Sequence, residues 1–352
     1  MSPTHRHALV TGTLFALAAG LMWGLVFVAP VMLPDYPAAL LSVSRYLAFG
    51  LIALPLAWLD RANLAELTRA DWMEAFKLSV VGNLLYYLLL AAAIQRAGAP
   101  LPTMIIGTLP VVIAITSNLR DHARDGKLPW ARLAPSLVLI ALGIAAVNHA
   151  ELSRHAAGTA SAGGAGGTDL GAHALGALLA VGAVVCWTWY PLRNADWLRA
   201  HASRSPRSWA TAQGVATLPL AAVGFLALWA LSAVWPALLG SGTTGSEGAF
   251  AMPFGPQPAL FLGLMFSIGL LASWLGTLCW NEASQRLPTT ISGQLIVFET
   301  LSALAYAFAL RGEWPGWPTL AGIVLLVVGV AWALSAPPPK RPGATAAVEA
   351  PH

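Results

Sequence analysis

Two ionisable side chains stand deep inside apolar stretches of this sequence: Arg45, in AALLSVSRYLAFG, and Glu299, in QLIVFETLSAL. A charge at the centre of a bilayer costs about 2.5–3.5 kcal/mol on insertion scales, so each requires a partner or a task. Counting the helical rise per residue places the two at similar depths, and two readings stand. In one, Arg45 and Glu299 form a structural ion pair. In the other, Glu299 faces a water-filled space and binds an amine or a proton. Thr289, Ser292, Glu299 and Ser302 recur at helical spacing, a polar stripe that lipid does not reward. Asn83, Tyr86, Tyr87, Gln213 and Gln294 add hydrogen-bonding groups at depth, with helix-to-helix hydrogen bonds as the plain alternative. Trp23, Trp187 and Trp274 are also deep, either as walls that can stack on a ligand cation or as ordinary core. Pro110 deletes one helical hydrogen bond and is a candidate hinge for gating.

These side chains sit on elements that the sequence writes twice. LPTMIIGTLPVVI from Leu101 returns as LPTTISGQLIVFE from Leu287, with seven of the first eleven positions identical. The same offset of 186 carries LVLIALGIAA at Leu137 onto IVLLVVGVAW at Ile323. GTLFALAAGLMW at Gly12 is echoed by GALLAVGAVVCW at Gly176, which makes Trp23 and Trp187 repeat equivalents, whereas Glu299 and Gln294 match Ile113 and Thr108. Ten segments are long and apolar enough to span a bilayer as helices: 8–28, 38–59, 75–94, 99–118, 130–147, 172–192, 209–234, 260–280, 289–310 and 317–334. The gaps on the side of the N-terminus hold fifteen Lys and Arg, the opposite gaps three, so both termini are expected in the cytoplasm. Five spans per copy is an odd number, so the copies enter the membrane from opposite sides as inverted repeats, an organisation of membrane transporters.

The expected layout is a cytoplasmic N-terminus (1–7), a first five-helix repeat (8–148), a flexible external linker (149–173), a second repeat (174–336) and a disordered cytoplasmic tail (337–352). Residues 236–258 form a second external loop. The apolar run after Arg6 continues without a polar break past Ala16-Leu17-Ala18, so no cleaved signal is expected. Nine tryptophans, among them Trp197 and Trp209, fall at expected helix ends and fit an interfacial belt.

At 57% hydrophobic and 10% charged, the composition excludes an ordinary soluble domain. The net charge of +4 is topological, since the basic residues form no stripe or reader motif for nucleic acid. No nucleotide-binding loop, HExxH or clustered His/Cys set is present, so no cofactor or metal is expected and the chain does not read as an enzyme. Cys186 and Cys279 read as buried thiols. The partners this leaves are the lipid bilayer and a small-molecule substrate, with coupling to a proton or solute gradient. Oligomeric state is left open.

Ten spans in two five-helix repeats, the Trp23-Gly24 pair, Arg45 in span two and Glu299 in span nine together resemble the drug/metabolite transporter superfamily, EamA type, over residues 8–334. The sequence departs from symmetry where Thr188, not glycine, follows Trp187. The resemblance implies an inverted-repeat bundle with a central cavity formed mainly by spans one, three, four, six, eight and nine. It also implies export of an amino acid or related small metabolite. Efflux of drugs or lipophilic cations, metabolite uptake and, last, a membrane enzyme acting on lipid carriers are the rival expectations.

Overall fold

A computed structural model of the chain describes residues 3–33, 35–97, 102, 105–120, 129–161, 170–234, 250–312 and 314–335. Among them there is helix and no strand. In chain order the main helices are α1 (Pro3–Gly24), α2 (Ala38–Leu59), α3 (Arg69–Leu78, Ser79–Leu85 and Tyr86–Ala97 in one run), α4 (Leu109–Arg120) and α5 (Trp130–Ser161). They are followed by α6 (Leu170–Ala200), α7 (Pro206–Val234), α8 (Pro258–Ile268, Gly269–Leu275 and Gly276–Arg286 in one run), α9 (Thr289–Leu295 and Val297–Arg311) and α10 (Trp317–Leu334). Seven of the helices are long and apolar enough to cross a membrane, and three shorter apolar helices lie within α4, α5 and α10. Large apolar side chains such as Leu14, Leu88, Leu178, Val185 and Val223 point outward. That is costly in water and favourable against hydrocarbon.

The helices pair across the two halves of the chain: α2 on α7, α3 on α6, α1 on α8, α4 on α9 and α5 on α10. Small residues set the closest approaches. A Cβ on Gly20 would lie 3.0 Å from the Glu299 amide nitrogen, and one on Gly24 would lie 2.7 Å from the Ser302 Cβ, so α1 rides on α9 through a Gly-x-x-x-Gly face. Gly322 and Gly329 of α10 lean likewise on Gly143 and Ile140 of α5, so this packing lies within the chain. Polar caps fix the helix ends. Thr68 and Asp71 form a reciprocal capping box at the start of α3, and Gly312, at φ 65°, closes α9 in the left-handed conformation.

Several boundaries differ from those expected. α6 continues past 192 to Ala200, and α5 and α6 take up both ends of the expected linker, as helix to Ser161 and again from Leu170. The rest of that linker (162–169), most of the 236–258 loop and the tail from 336 lie outside the described residues. Trp197 and Trp209 are not interfacial: they are 7% and 0% exposed, with rings stacked at 3.5 Å. The extra turns of α6 carry Trp197 onto Trp209 of α7, whereas Trp58, Trp314 and Trp317 stay exposed as a belt requires.

Candidate functional site

α3 and α8 each contain one seven-residue π-helical stretch, Ser79–Leu85 and Gly269–Leu275. A π-turn inserts a residue into the helical register and re-aims the side chains around it, which is why such turns gather at functional sites. The fifth residue of the first is Asn83 and the fifth of the second is Ser273, and both line one cavity between the halves. Each is reached by a polar group from the α2–α7 pair: Asn83 Nδ2 donates to Thr217 Oγ1 at 3.3 Å, and Arg45 Nε donates to Ser273 Oγ at 3.0 Å.

The walls are aromatic. Trp23 meets Trp187 edge to face at 5.9 Å and Trp280 at 5.2 Å, while Trp187 stacks on Tyr190 at 5.1 Å and on Tyr86 at 4.8 Å. The geometries are those that ring quadrupoles favour. A Cβ on Gly82 would fall 2.2 Å from the Tyr190 Cδ2, so only glycine there admits that ring. Tyr46, Phe49, Ala272 and Thr277 complete the lining. The free space is ≈ 10 Å³, room for about one water, so the walls must part before anything larger enters.

Of the residues singled out in the sequence, Trp23, Arg45, Asn83 and Trp187 come together on this cavity. Tyr86 stands behind Trp187 as a second layer. Tyr87 and Trp274 pack with Tyr46 and Phe49, and Trp274 Nε1 donates to Thr211 Oγ1 at 3.1 Å. Gln294 lies elsewhere, at 1% exposure, where its Oε1 accepts from Ser136 of α5 at 2.6 Å. Glu299 is not a lining residue. It sits in the first turn of the second half of α9, close to Gly20, where a helix N-terminus favours an acid. Among the described residues the ion pairs do not join it to Arg45, although each charge lies in the other's electrostatic reach.

Pro110 is the second residue of α4, after a turn at 107–108. In a first helical turn its missing N–H is no loss. α9 is interrupted at Ile296, the repeat equivalent of Pro110, whereas the turn in the first copy falls at 107–108, two residues earlier in the repeat, so the interruptions are near one another but not in register.

Residues the sequence reading passed over are Ser273, Thr277 and Tyr190 in the lining and Trp280 behind it. Ser273, Thr277 and Trp280 follow at i, i+4 and i+7, and Tyr190 lies one turn from Trp187. Helical spacing was the signal. The Trp280 Nε1 is buried with no partner among the described residues.

Below the cavity, toward the end of the bundle that carries most Lys and Arg, a polar network begins at Tyr190. Its hydroxyl donates to Gln213 Oε1 at 2.9 Å, Gln213 Nε2 donates to Asn194 Oδ1 at 3.1 Å, and Asn194 Nδ2 donates to Asn281 Oδ1 at 2.8 Å. Trp209 Nε1 also donates to Asn194 Oδ1, and Trp197 Nε1 to Asp71 Oδ1, both at 2.8 Å. Farther out, Arg193 bonds Glu74 through both Nε and Nη2, Arg120 pairs with Asp196 at 2.9 Å, and Arg204 pairs with Glu66. A hollow of ≈ 90 Å³ under Arg204 and Trp209 is larger than the central cavity, but its two charged groups already satisfy each other. Among the described residues no cluster of His, Cys, Asp and Glu fit to hold a metal occurs.

Apolar helices packed in pairs around a buried, mixed aromatic and polar cavity define a polytopic α-helical membrane protein. The model of the EamA-like transporter family matches residues 10–148, within the first of the two sequence repeats. The inner membrane protein YtfF of Escherichia coli (strain K12) is 51% identical over 332 residues, 94% of this chain and 97% of that protein. The chain therefore belongs to the EamA-like transporter family of the drug/metabolite transporter superfamily. A solved crystal structure is similar over 92% of this chain and 96% of its own, with a TM-score of 0.64 at 18% identity, a likeness of fold.

Proposed function

We propose that this protein is a secondary transporter of an inner membrane, and that it exports a small metabolite, an amino acid or a related amphipathic compound. Ten spans form two inverted five-helix repeats with both termini cytoplasmic, and the two halves rock about the central cavity to expose it to each side in turn. The observation that carries this reading is the cavity itself, where two π-turns on corresponding helices of the two halves place Asn83 and Ser273 in one lining. The cross-half helix pairs support it, as do the turns that interrupt the helical run before α4, at 107–108, and within α9, at Ile296. In this scheme Trp23, Arg45, Asn83 and Trp187 contact substrate, Tyr86 and Trp274 back the walls, and the turns at 107–108, just before Pro110, and at Ile296 supply the bend. Glu299 is the candidate for proton coupling. The inner-membrane relative supports the location.

The test is a metabolite profile of the medium from cells overproducing the protein, compared with cells holding an equal membrane level of Ser273→Phe, which fills a water-sized cavity with a ring. One or more compounds should accumulate outside only with the unmodified protein. Media that match each other and an empty-vector control would reject metabolite export and favour uptake or drug efflux.

A further inference from the structure

Resting on the transporter reading, we infer that the central cavity selects substrates bearing a carboxylate, and that Arg45 is the residue that binds it. Among the ten residues that line the space, Arg45 is the one with a formal charge. Its Nε is held by Ser273 Oγ at 3.0 Å, while among the described residues no hydrogen bond or ion pair engages its two terminal nitrogens. A guanidinium fixed at Nε and open at both Nη presents the planar fork that matches a carboxylate through two parallel hydrogen bonds.

Glu299 is the obvious competitor for that fork, and the structure keeps it away. It lies within Coulombic reach of Arg45, yet among the described residues no ion pair joins the two. Glu299 therefore offsets part of the cost of a buried cation without occupying its donors. The remaining lining fits the rest of such a molecule. Asn83, Ser273 and Thr277 offer neutral hydrogen-bonding groups, and Trp23, Trp187, Tyr190 and Phe49 offer an apolar bed. A purely cationic ligand would have to sit against Arg45, where like charge disfavours it. A phosphate dianion would find one positive group where it needs more. Ser273 is then a positioning residue, whose hydroxyl sets the direction of the fork.

The experiment uses the full chain purified in detergent and two matched probe sets: L-leucine, L-leucinamide and 3-methylbutylamine, and L-phenylalanine, L-phenylalaninamide and 2-phenylethylamine. Binding is read by tryptophan fluorescence and by thermal shift. In the unmodified protein each acid should bind at least about 10-fold more tightly than its amide and its amine. Arg45→Gln should erase that difference, Arg45→Lys should weaken binding while keeping the preference, and Ser273→Ala should weaken the acids several-fold with the preference intact. The inference is overturned if an amide or amine binds as well as its acid, if no acid in either set binds, or if Arg45→Gln keeps the preference. The comparison within the unmodified protein decides even where Arg45→Gln fails to fold. Two failures stay distinct: an exported compound without a carboxylate leaves the transporter reading standing and removes the anchor. Acids that bind while the medium never changes keep the anchor and remove the export reading.

Discussion

The cavity is closed at both ends by opposite chemistries. Toward the basic end, the last turns of α6 are bonded in several directions, Arg193 to Glu74, Asn194 to Asn281, Trp197 to Asp71 and Arg199 to Thr289, and just beyond the helix Arg204 pairs with Glu66. Toward the other end, Leu33, Tyr36, Leu40 and Phe261 join the same apolar cluster as Trp23, with Tyr36 stacked on Phe261 at 5.0 Å and set edge-on to Phe250 at 5.2 Å. Polar bonds are directional, and a buried group that loses its partner is left with the whole cost of its desolvation. Apolar contacts are non-directional and re-form in many arrangements. An opening at the basic end must therefore break specific bonds together, whereas the opposite end can part and reseal with little penalty from misalignment.

The strongest way to break this contrast is at Asn194, which is fully buried and joins Trp209, Gln213 and Asn281. Asn194→Leu leaves two donors and one acceptor unpaired, at about 1–3 kcal/mol each where no water reaches them. A loss of about 3 kcal/mol or more in thermal unfolding in detergent is expected. A shift no greater than that of an ordinary surface substitution would show the network to be ornamental. Next in size is Glu74→Gln. The Glu74 side chain is 8% exposed but that of Arg193 is 48% exposed, so solvent screening limits the loss to about 1–2 kcal/mol. The gap between variant and unmodified protein should narrow at 1 M salt, where screening acts within roughly 3 Å. A gap that ignores salt would assign the effect to packing.

The sequence displayed this asymmetry unevenly. The helices, and the depth of Trp23 and Trp187, were legible because apolar periodicity is written in residue types, whereas the pairing of helices across the halves and the contact between those two rings came from the packing. The π-turns were not, since one residue inserted into a helix changes no composition. The break at Ile296 has no proline or glycine to announce it. Glu299 was legible as a buried charge, but whether it meets Arg45 depends on how α9 turns after its break, and that is a matter of tertiary packing. Trp197 and Trp209 read as a membrane belt because α6 looked finished at 192. Eight further residues of α6 include Asn194, which accepts from the Trp209 indole, while Asp71 of α3 accepts from that of Trp197; a hydropathy pattern penalises such polar residues.

The smallest expected effect falls at Tyr36, where the apolar end borrows two polar bonds. Its hydroxyl donates to the Phe254 carbonyl at 2.7 Å and accepts from the Gln257 amide at 2.8 Å. Tyr36→Phe keeps both ring contacts and removes both hydrogen bonds, at about 0.5–1.5 kcal/mol each; water can reach these loop groups, so the sum should stay near the lower bound. The phenol also gives the test a pH axis. Burial raises its pKa above the ordinary 10.0, opposed by the bond from Gln257 and reinforced by Asp35. The folded chain then holds this proton more tightly than the unfolded chain. Its contribution is whole below about pH 10 and falls as pH rises through the folded value. The margin of the unmodified protein over Tyr36→Phe should therefore be flat from pH 7 to 9 and shrink above 10. A margin that stays constant into the alkaline range would mean that the ring, with no help from its hydroxyl, holds this end shut.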